Sequence, residues 1–354
     1  MSTAGFFSRF VASITASIRS GLWFTLLIVM AVTSLLIVAL TVSSDAATAV
    51  GTDSGRMALS FVVFLVLVAT LLGIPTVFIS IREQLGRLSF LHTYLLAVAV
   101  GLSFMVAALP AMLWAVLSTG VGPGVWFPIL GVAKLEIWVI ALLVALAHWT
   151  LTNGSAATVA AFGLIAGITL GPLVVMGAAS LGTPVKQVTT TYYIEWKDQN
   201  QAIDPQTGYP VDPVCPTPST NTTYLTDYGS VWRATEINPL ALVSSAITPA
   251  VGDYEMPGYD PSMGSTPMTL PLDLFGTVDL AVREMQLPIE TSIHVNECEN
   301  LATEGTPYPT FNNEKDPRDV IAASESGLAS GLIGQGIFLA LAGVALVVVR
   351  RRTT

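Results

Sequence analysis

This chain contains five apolar runs, then the polar block 183–325, and then one last apolar run that ends at three arginines. Each run has the length of about 20 residues that an α-helix needs to cross the hydrocarbon core of a bilayer. Charged residues make up only 11% of the sequence, against about 25% in a typical globular chain. We therefore predict an α-helical polytopic membrane protein. Its predicted spans are 21–43, 57–80, 92–118, 124–150, 155–182 and 327–349.

Lysines and arginines indicate the orientation of the spans, because cytoplasmic loops carry them in excess. The polar block 183–325 has 20 acidic and 6 basic residues, which assigns it to the extracytoplasmic side. We expect both termini to be cytoplasmic and the chain to be a multi-pass protein of a cell membrane. We predict no cleavable signal peptide, because the first run is too long for one. The charges then facing the cytoplasm are Arg9, Arg19, Arg82, Arg87 and Arg350 to Arg352, opposed only by Glu83.

Four segments follow from this pattern. Residues 4–19 place apolar side chains on one helical face and polar ones on the other, which predicts an amphipathic helix in the membrane interface. The alternative is an extension of the first span. The expected domains are the interfacial helix 1–20, five transmembrane helices in 21–182, an extracytoplasmic domain in 183–325, and the sixth transmembrane helix with a basic tail in 326–354.

The extracytoplasmic domain is predicted to be β-rich or mixed. Residues 185–197 and 230–237 have the composition of strands, and 272–295 show further apolar alternation. Residues 251–271 are predicted to form a long loop. Both cysteines, Cys215 and Cys298, fall in this domain, where a disulfide would contribute about 3–4 kcal/mol. The alternative is two free thiols. A metal site is not predicted, because too few Cys or His residues lie nearby.

Prolines interrupt four predicted spans and should kink them, at Pro75, Pro110, Pro128 and Pro172. Lys134 and Glu136 are the formal charges well inside a span, where charges are costly and usually functional. Two positions i and i+2 do not share a helix face, so mutual pairing is not expected. The alternatives are a functional role and a structural bond to a neighbouring helix.

The sequence offers no catalytic machinery. It has no Gly-x-x-x-x-Gly-Lys-Ser/Thr loop, and its histidines His92, His148 and His294 are scattered. We therefore predict no catalytic residue, cofactor or metal in this chain, and no nucleic-acid partner.

Three stretches resemble the permease subunits of the ABC exporter type-2 family. Residues 71–88 are similar to that family's second span running into a charged, glycine-containing turn. Residues 139–176 are similar to its paired fourth and fifth spans, and Asn238-Pro239-Leu240-Ala241-Leu242 is like the Asn-Pro element before its last span. The turn at 151–155 lacks the basic residues often found there, and the polar block is larger than usual.

The resemblance implies a membrane-spanning subunit of an ATP-driven exporter. A second permease copy or homologue would form a dimer with it, and a separate cytoplasmic subunit would bind ATP and Mg²⁺. Few charges lie in the spans, so the cargo is expected to be amphipathic or lipid-like. Pro75 and Pro172 would lie in walls of the translocation path, and membrane lipids would be partners of the chain. The ATPase-docking loop would comprise Arg82, Glu83, Gln84, Gly86 and Arg87, whose arginines could pair with acids of the ATPase.

Two other interpretations stay open. The chain could be a non-transport accessory or receptor subunit whose extracytoplasmic domain binds a partner. It could also be an enzyme acting on lipid or glycan at the outer surface. The acids available for that chemistry are Asp198, Asp204, Glu297 and Glu299, which form no recognised motif.

Overall fold

A computed structural model gives the fold. It describes residues 11, 15, 21–43, 54–81, 89–151, 153–181, 185–192, 219–254, 268–289, 292–295 and 316–353. In chain order the elements are α1 Leu22–Ser43, α2 Ser54–Ser80, α3 Phe90–Thr119, α4 Pro123–Thr150, α5 Gly154–Thr169, α6 Gly171–Ser180, β1 Val185–Tyr192, β2 Ser219–Thr226, a 3-10 helix Trp232–Ile237, α7 Pro239–Ser244, β3 Val251–Tyr254, β4 Met268–Pro271, α8 Leu274–Glu284, β5 Ser292–Val295, α9 Pro317–Ala323 and α10 Leu328–Thr353.

Among the described residues, five helices are long and apolar enough to cross a membrane: α1, α2, α3, α4 and α10. The prediction of an α-helical membrane protein is therefore confirmed. The predicted fifth span is a bent pair, in which α5 and the residues Gly171–Ala178 of α6 meet at 51°. The bend falls at the predicted kink, because Pro172 has no N–H to donate to the carbonyl of residue 168. Counting the pair as one span gives six.

The helices α2, α3 and α4 form the core of the bundle. Phe78, Phe104, Ile137 and Ile140 are among its fully buried side chains. The sharp turn between α3 and α4 uses Gly120, whose φ of +75° favours glycine, and Pro123, which begins α4 without needing a hydrogen-bond acceptor. The turn lies at the end of the bundle against which α8 packs, called here the α8 end. The other end, where Trp149 meets Phe90 and Arg350, is the Trp149 end.

The described part of 183–325 is mixed rather than mainly β. One sheet has the strand order β2-β1-β5, with β2 antiparallel and β5 parallel to β1, and β3 pairs with β4. The strand predicted at 185–197 is confirmed over 185–192. The long loop predicted at 251–271 is wrong at its two ends, which form the β3–β4 pair.

Of two further strand predictions in this region, the one at 230–237 is wrong, and the one at 272–295 is wrong except at its end. Residues 230–237 contain the 3-10 helix, because they are followed by a helix-start signal and packed into the bundle rather than beside another strand. Residues 272–295 begin with α8, which Asp273 caps by accepting a hydrogen bond from the N–H of Gly276. In the described part of 272–295, the last four residues form the strand β5. Tertiary packing overrides the local strand preference in both stretches.

Candidate functional site

A segment that belongs to the polar block by sequence lies inside the helix bundle. This inserted segment (residues 232–245) comprises the 3-10 helix, α7 and Ser245. It contacts α2, α4, α5, α6, α8 and α10. Leu242 and Val243 are fully buried, as is Glu236. The segment therefore brings irregular backbone and a carboxyl group among the spans, which a membrane protein tolerates only where protein or a water-filled cavity surrounds them.

Asn238 holds the inserted segment against the bent span. Its Oδ1 accepts a hydrogen bond from the N–H of Leu240 at 2.8 Å, which caps α7. Its Nδ2 donates to the carbonyl oxygen of Thr169 at 2.7 Å, at the break between α5 and α6. The Asn-Pro element thus begins a short helix and also bonds to the carbonyl that the bend exposes.

Two glycines of α10, and a third immediately before it, pack against the inserted segment. Gly327, Gly331 and Gly334 recur at i, i+4 and i+7, so they share one face. A Cβ on Gly331 would lie 2.4 Å from the carbonyl oxygen of Glu236 and 2.5 Å from Leu242 Cδ1. Small residues allow backbones inside membranes to approach closely. We call this contact between α10 and the inserted segment the α10 seam.

Glu136 lies at the same seam and is fully buried. Its Oε2 accepts a hydrogen bond from Gln335 Nε2 at 3.0 Å, and the same nitrogen donates to the carbonyl oxygen of Ile237 at 3.2 Å. Glu136 Oε1 and Gln335 Oε1 are buried and have no hydrogen-bond partner among the described residues. One glutamine therefore joins α4, α10 and the inserted segment.

The other intramembrane residues singled out from the sequence lie apart from Glu136. Lys134 Nζ lies 5.1 Å from the ring centroid of Trp138, in a cation–π contact on its own helix. Pro75 and Pro172 are both buried, in α2 and α6. Of the two sequence charges, only Glu136 enters the seam.

A second group of polar side chains lies where the inserted segment meets α8. Arg283 Nε donates to Asp279 Oδ2 at 2.6 Å, and both side chains are buried. Ser245 Oγ lies 2.9 Å from Asp279 Oδ1 and 3.1 Å from Glu236 Oε2. We call these four residues the α8 cluster. Among the described residues, no group of three or more His, Cys, Asp or Glu side chains could hold a metal ion.

Burial in the α8 cluster favours the protonated form of Glu236. Burial, above all, raises the pKa of Glu236 to about 7; the nearby Asp279 also raises it, while Ser245 and Arg283 lower it. Burial also raises the pKa of Asp279, against the hydrogen bond of Arg283. The single hydrogen of Ser245 can go to only one carboxylate. Both contacts are satisfied when protonated Glu236 donates to Ser245 Oγ and Ser245 donates to Asp279.

Further bonds attach α8 to the bundle and to the start of α10. Arg56 Nε donates to Asp273 Oδ2 at 3.0 Å, and the N–H of Leu274 donates to Ser60 Oγ, so the N-terminus of α8 is tied to α2. Gln286 and Glu325 exchange two hydrogen bonds of 2.9 Å at the other end of α8.

Several predicted features lie outside the described residues. These are the docking loop with Arg82, Glu83, Gln84, Gly86 and Arg87, the pair Cys215 and Cys298, and the interfacial helix except Val11 and Thr15. No family model, curated protein or solved structure matches this chain.

Sequence reasoning missed Gln335 and the α8 cluster, which includes Glu236. Gln335 carried a usable signal, because it is an amide inside an otherwise apolar run. The glycine face of α10 was a second usable signal. The α8 cluster had none, because its members are ordinary surface residue types by sequence.

Proposed function

We propose that this chain is the membrane-spanning permease subunit of an ATP-driven exporter, moving an amphipathic or lipid-like cargo with a separate cytoplasmic ATPase. The observation that carries the proposal is the inserted segment, with Glu136, Gln335 and Asn238 bonded around it beside a broken span. Irregular backbone and polar side chains at membrane depth are typical of transport proteins, whose spans change packing. The resemblance of residues 71–88, 139–176 and 238–242 to type-2 exporter permeases adds to this.

The proposed topology has six spans, with both termini in the cytoplasm and residues 183–325 outside. The Trp149 end is then cytoplasmic, and the α8 end faces outwards. The docking loop follows Ser80 directly, so it would hold the ATPase at the cytoplasmic end of α2. A second copy of the subunit would supply the other wall of the path, with Pro75 and Pro172 on the walls.

The packing of α2 supplies a route from the ATPase to the outer side. This helix contacts α1, α3, α4, α5, α7 and α8. Its far end is bonded to α8 through Arg56 and Ser60. A pull on the docking loop would therefore reach the core, the inserted segment and the extracytoplasmic domain through one rigid element. Two packings of the spans would alternate as ATP is bound and hydrolysed.

The test is affinity purification of the chain from its native locus in mild detergent, with bound proteins identified by mass spectrometry. We expect a Walker-type ATPase to co-purify and to be lost when Arg82→Glu and Arg87→Glu are combined. The matched control combines Arg351→Glu and Arg352→Glu, which removes two charges from the same side of the membrane. Loss of the ATPase in both double variants would mean that these arginines set topology only.

A second candidate function is a membrane-anchored accessory or receptor subunit. The observation that favours it is the dense packing of α2, α3 and α4, together with the many bonds that fix α8 on the bundle. The cavity of about 580 Å³ between α4 and α10 is an open apolar groove rather than a polar path. A set of co-purifying proteins without any ATPase would favour this function over transport.

A further inference from the structure

Glu136 and Gln335 together form a buried site with fewer hydrogen-bond donors than acceptors. The atom of Gln335 that faces Glu136 Oε2 also faces the carbonyl oxygen of Ile237, at 3.0 and 3.2 Å. A backbone carbonyl can only accept, so this atom must be the amide nitrogen. Both of its hydrogens are then used. Two buried oxygens, Glu136 Oε1 and Gln335 Oε1, remain without a donor among the described residues.

The site also lacks a positive charge. In the described part of the chain, Glu136 bonds with Gln335 alone, and Lys134 lies over Trp138 instead. A buried carboxylate without a cation or several donors is strongly unfavourable. The described titratable side chains on the elements packed against α4 are Arg56 on α2, His92 and Tyr94 on α3, Arg233 and Glu236 on the 3-10 helix, and Arg350 on α10; none of them forms an ion pair with Glu136.

We propose that Glu136 is a proton-binding site whose proton is retained by the inserted segment. A proton on the carboxyl removes the charge and supplies the missing donor in one step. A hard metal cation takes about six oxygen ligands, whereas the described site offers two oxygens that are not already accepting a hydrogen bond. A proton therefore fits the site better than a metal ion.

Occupancy of the site depends on the position of the inserted segment. While the segment is in place, Ile237 and its neighbours bury the carboxyl and keep water away. If the segment leaves the α10 seam, water reaches Glu136, its O–H bond breaks, the proton passes to water and the carboxylate remains. This inference goes beyond the proposed function, because it requires neither the ATPase nor a cargo.

The first test is infrared spectroscopy of the purified full-length chain in lipid at neutral pH. We expect the C=O band of a protonated carboxylic acid, and we expect Glu136→Gln to remove it. Glu284→Gln serves as the control, since it makes the same acid-to-amide change on the last turn of α8, outside the inserted segment and the seam, and should leave the Glu136 band in place. If the wild-type spectrum holds no component that Glu136→Gln removes, Glu136 is ionised and the proposal fails.

The second test displaces the segment without touching the carboxyl. Gly331→Val places a side chain against the Glu236 carbonyl, so the Glu136 band should be lost and hydrogen exchange in 232–245 should increase. Gly336→Val is the matched control, because nothing lies within 4 Å of a Cβ at Gly336. Gly334→Ala is a milder displacement should Gly331→Val fail to fold, with its Cβ 2.5 Å from Ile237 Cγ1.

Two results would overturn the proposal at this stage. The first is an unchanged Glu136 band in a displaced variant whose segment exchanges faster. The second is thermal stabilisation of the wild-type chain by Na⁺ over choline that Glu136→Gln abolishes, which would assign the site to a metal cation.

Discussion

The α2–α3–α4 core and the α10 seam are both buried, but they are packed by different means. In the core, glycines face the ends of side chains: a Cβ on Gly101 would meet Ile137 Cγ2 at 2.5 Å. In the seam, a Cβ on Gly331 would meet the backbone of Glu236 at 2.4 Å. A side chain can give way more readily than backbone, which cannot move without its neighbours. Substitution should therefore be tolerated better at Gly101 in the core than at Gly331 in the seam.

Polar groups in the two regions differ in the same way. In the core, Thr70 Oγ1 donates to Val66 O and Thr150 Oγ1 to Leu146 O, both at 2.7 Å within their own helices. Such bonds satisfy the hydroxyl without selecting a neighbouring helix. In the seam, Gln335 joins α10 to α4 and to the inserted segment, and beside the seam Asn238 joins that segment to α5. The seam thus specifies one arrangement of the bundle, whereas the core supplies general apolar packing.

The largest expected effect is the difference in stability between substitutions at Gly331 and at Gly101. Gly331→Ala should lower the free energy of unfolding by about 3 kcal/mol, because its methyl group overlaps a backbone carbonyl. Gly101→Ala should cost about 1–2 kcal/mol, because its methyl group overlaps a side-chain methyl of Ile137 rather than backbone and alanine favours helix. Equilibrium unfolding in mixed micelles measures both. Equal costs at the two positions would contradict the distinction between seam and core.

A pH dependence of the free energy of unfolding, on the order of 2–4 kcal/mol, should come from the α8 cluster beside the seam and not from the core. Folding raises the pKa of Glu236 from about 4.3 to about 7, so the folded chain binds this proton more tightly. The resulting stability is fully present below about pH 4 and is lost as the pH rises through about 7. Asp279, whose pKa is also raised, acts in the same direction.

Thermal unfolding between pH 5 and 8 measures this effect. Glu236→Gln should give a flatter profile, because its amide cannot ionise. Glu284→Gln, on the last turn of α8, is a control of the same chemistry. A wild-type stability that rises with pH over this range would contradict the raised pKa of Glu236 in the α8 cluster.

The smallest expected effect concerns two helix caps. Asn238→Ser keeps a capping oxygen for α7 but removes the donor to Thr169 O, and should cost about 1 kcal/mol. Asn153 caps α5 at an exposed position by accepting from the N–H of Ser155 and Ala156. Asn153→Ser should therefore be close to neutral. A matching loss at both positions would show that the bond to Thr169 contributes nothing beyond the cap.

The sequence predicts the spans well because hydropathy and length determine them locally. Of the four prolines predicted to kink spans, Pro172 lies at the bend, whereas Pro75, Pro110 and Pro128 lie within unbroken helices. Prediction from the sequence fails at 230–237, where strand-like composition is overridden by burial among helices that are distant in the chain. The partner of Glu136 is 199 positions away, so no local pattern could identify it. The candidate site was only partly predictable: Glu136 was singled out by its charge and residues 238–242 by their Asn-Pro element, but no local pattern indicated that 232–245 lie among the spans.

The bend between α5 and α6 also affects how the chain fits its bilayer. The 16 residues of α5 extend about 24 Å, which is less than the roughly 30 Å of hydrocarbon in a typical membrane. Inclined at 51°, the 10 residues of α6 add about 9 Å along the direction of α5, giving about 33 Å in all. A straight helix of the same residues would extend about 39 Å. Counted as one span, this pair would match thinner or thicker membranes by opening or closing its angle, without tilting the rest of the bundle.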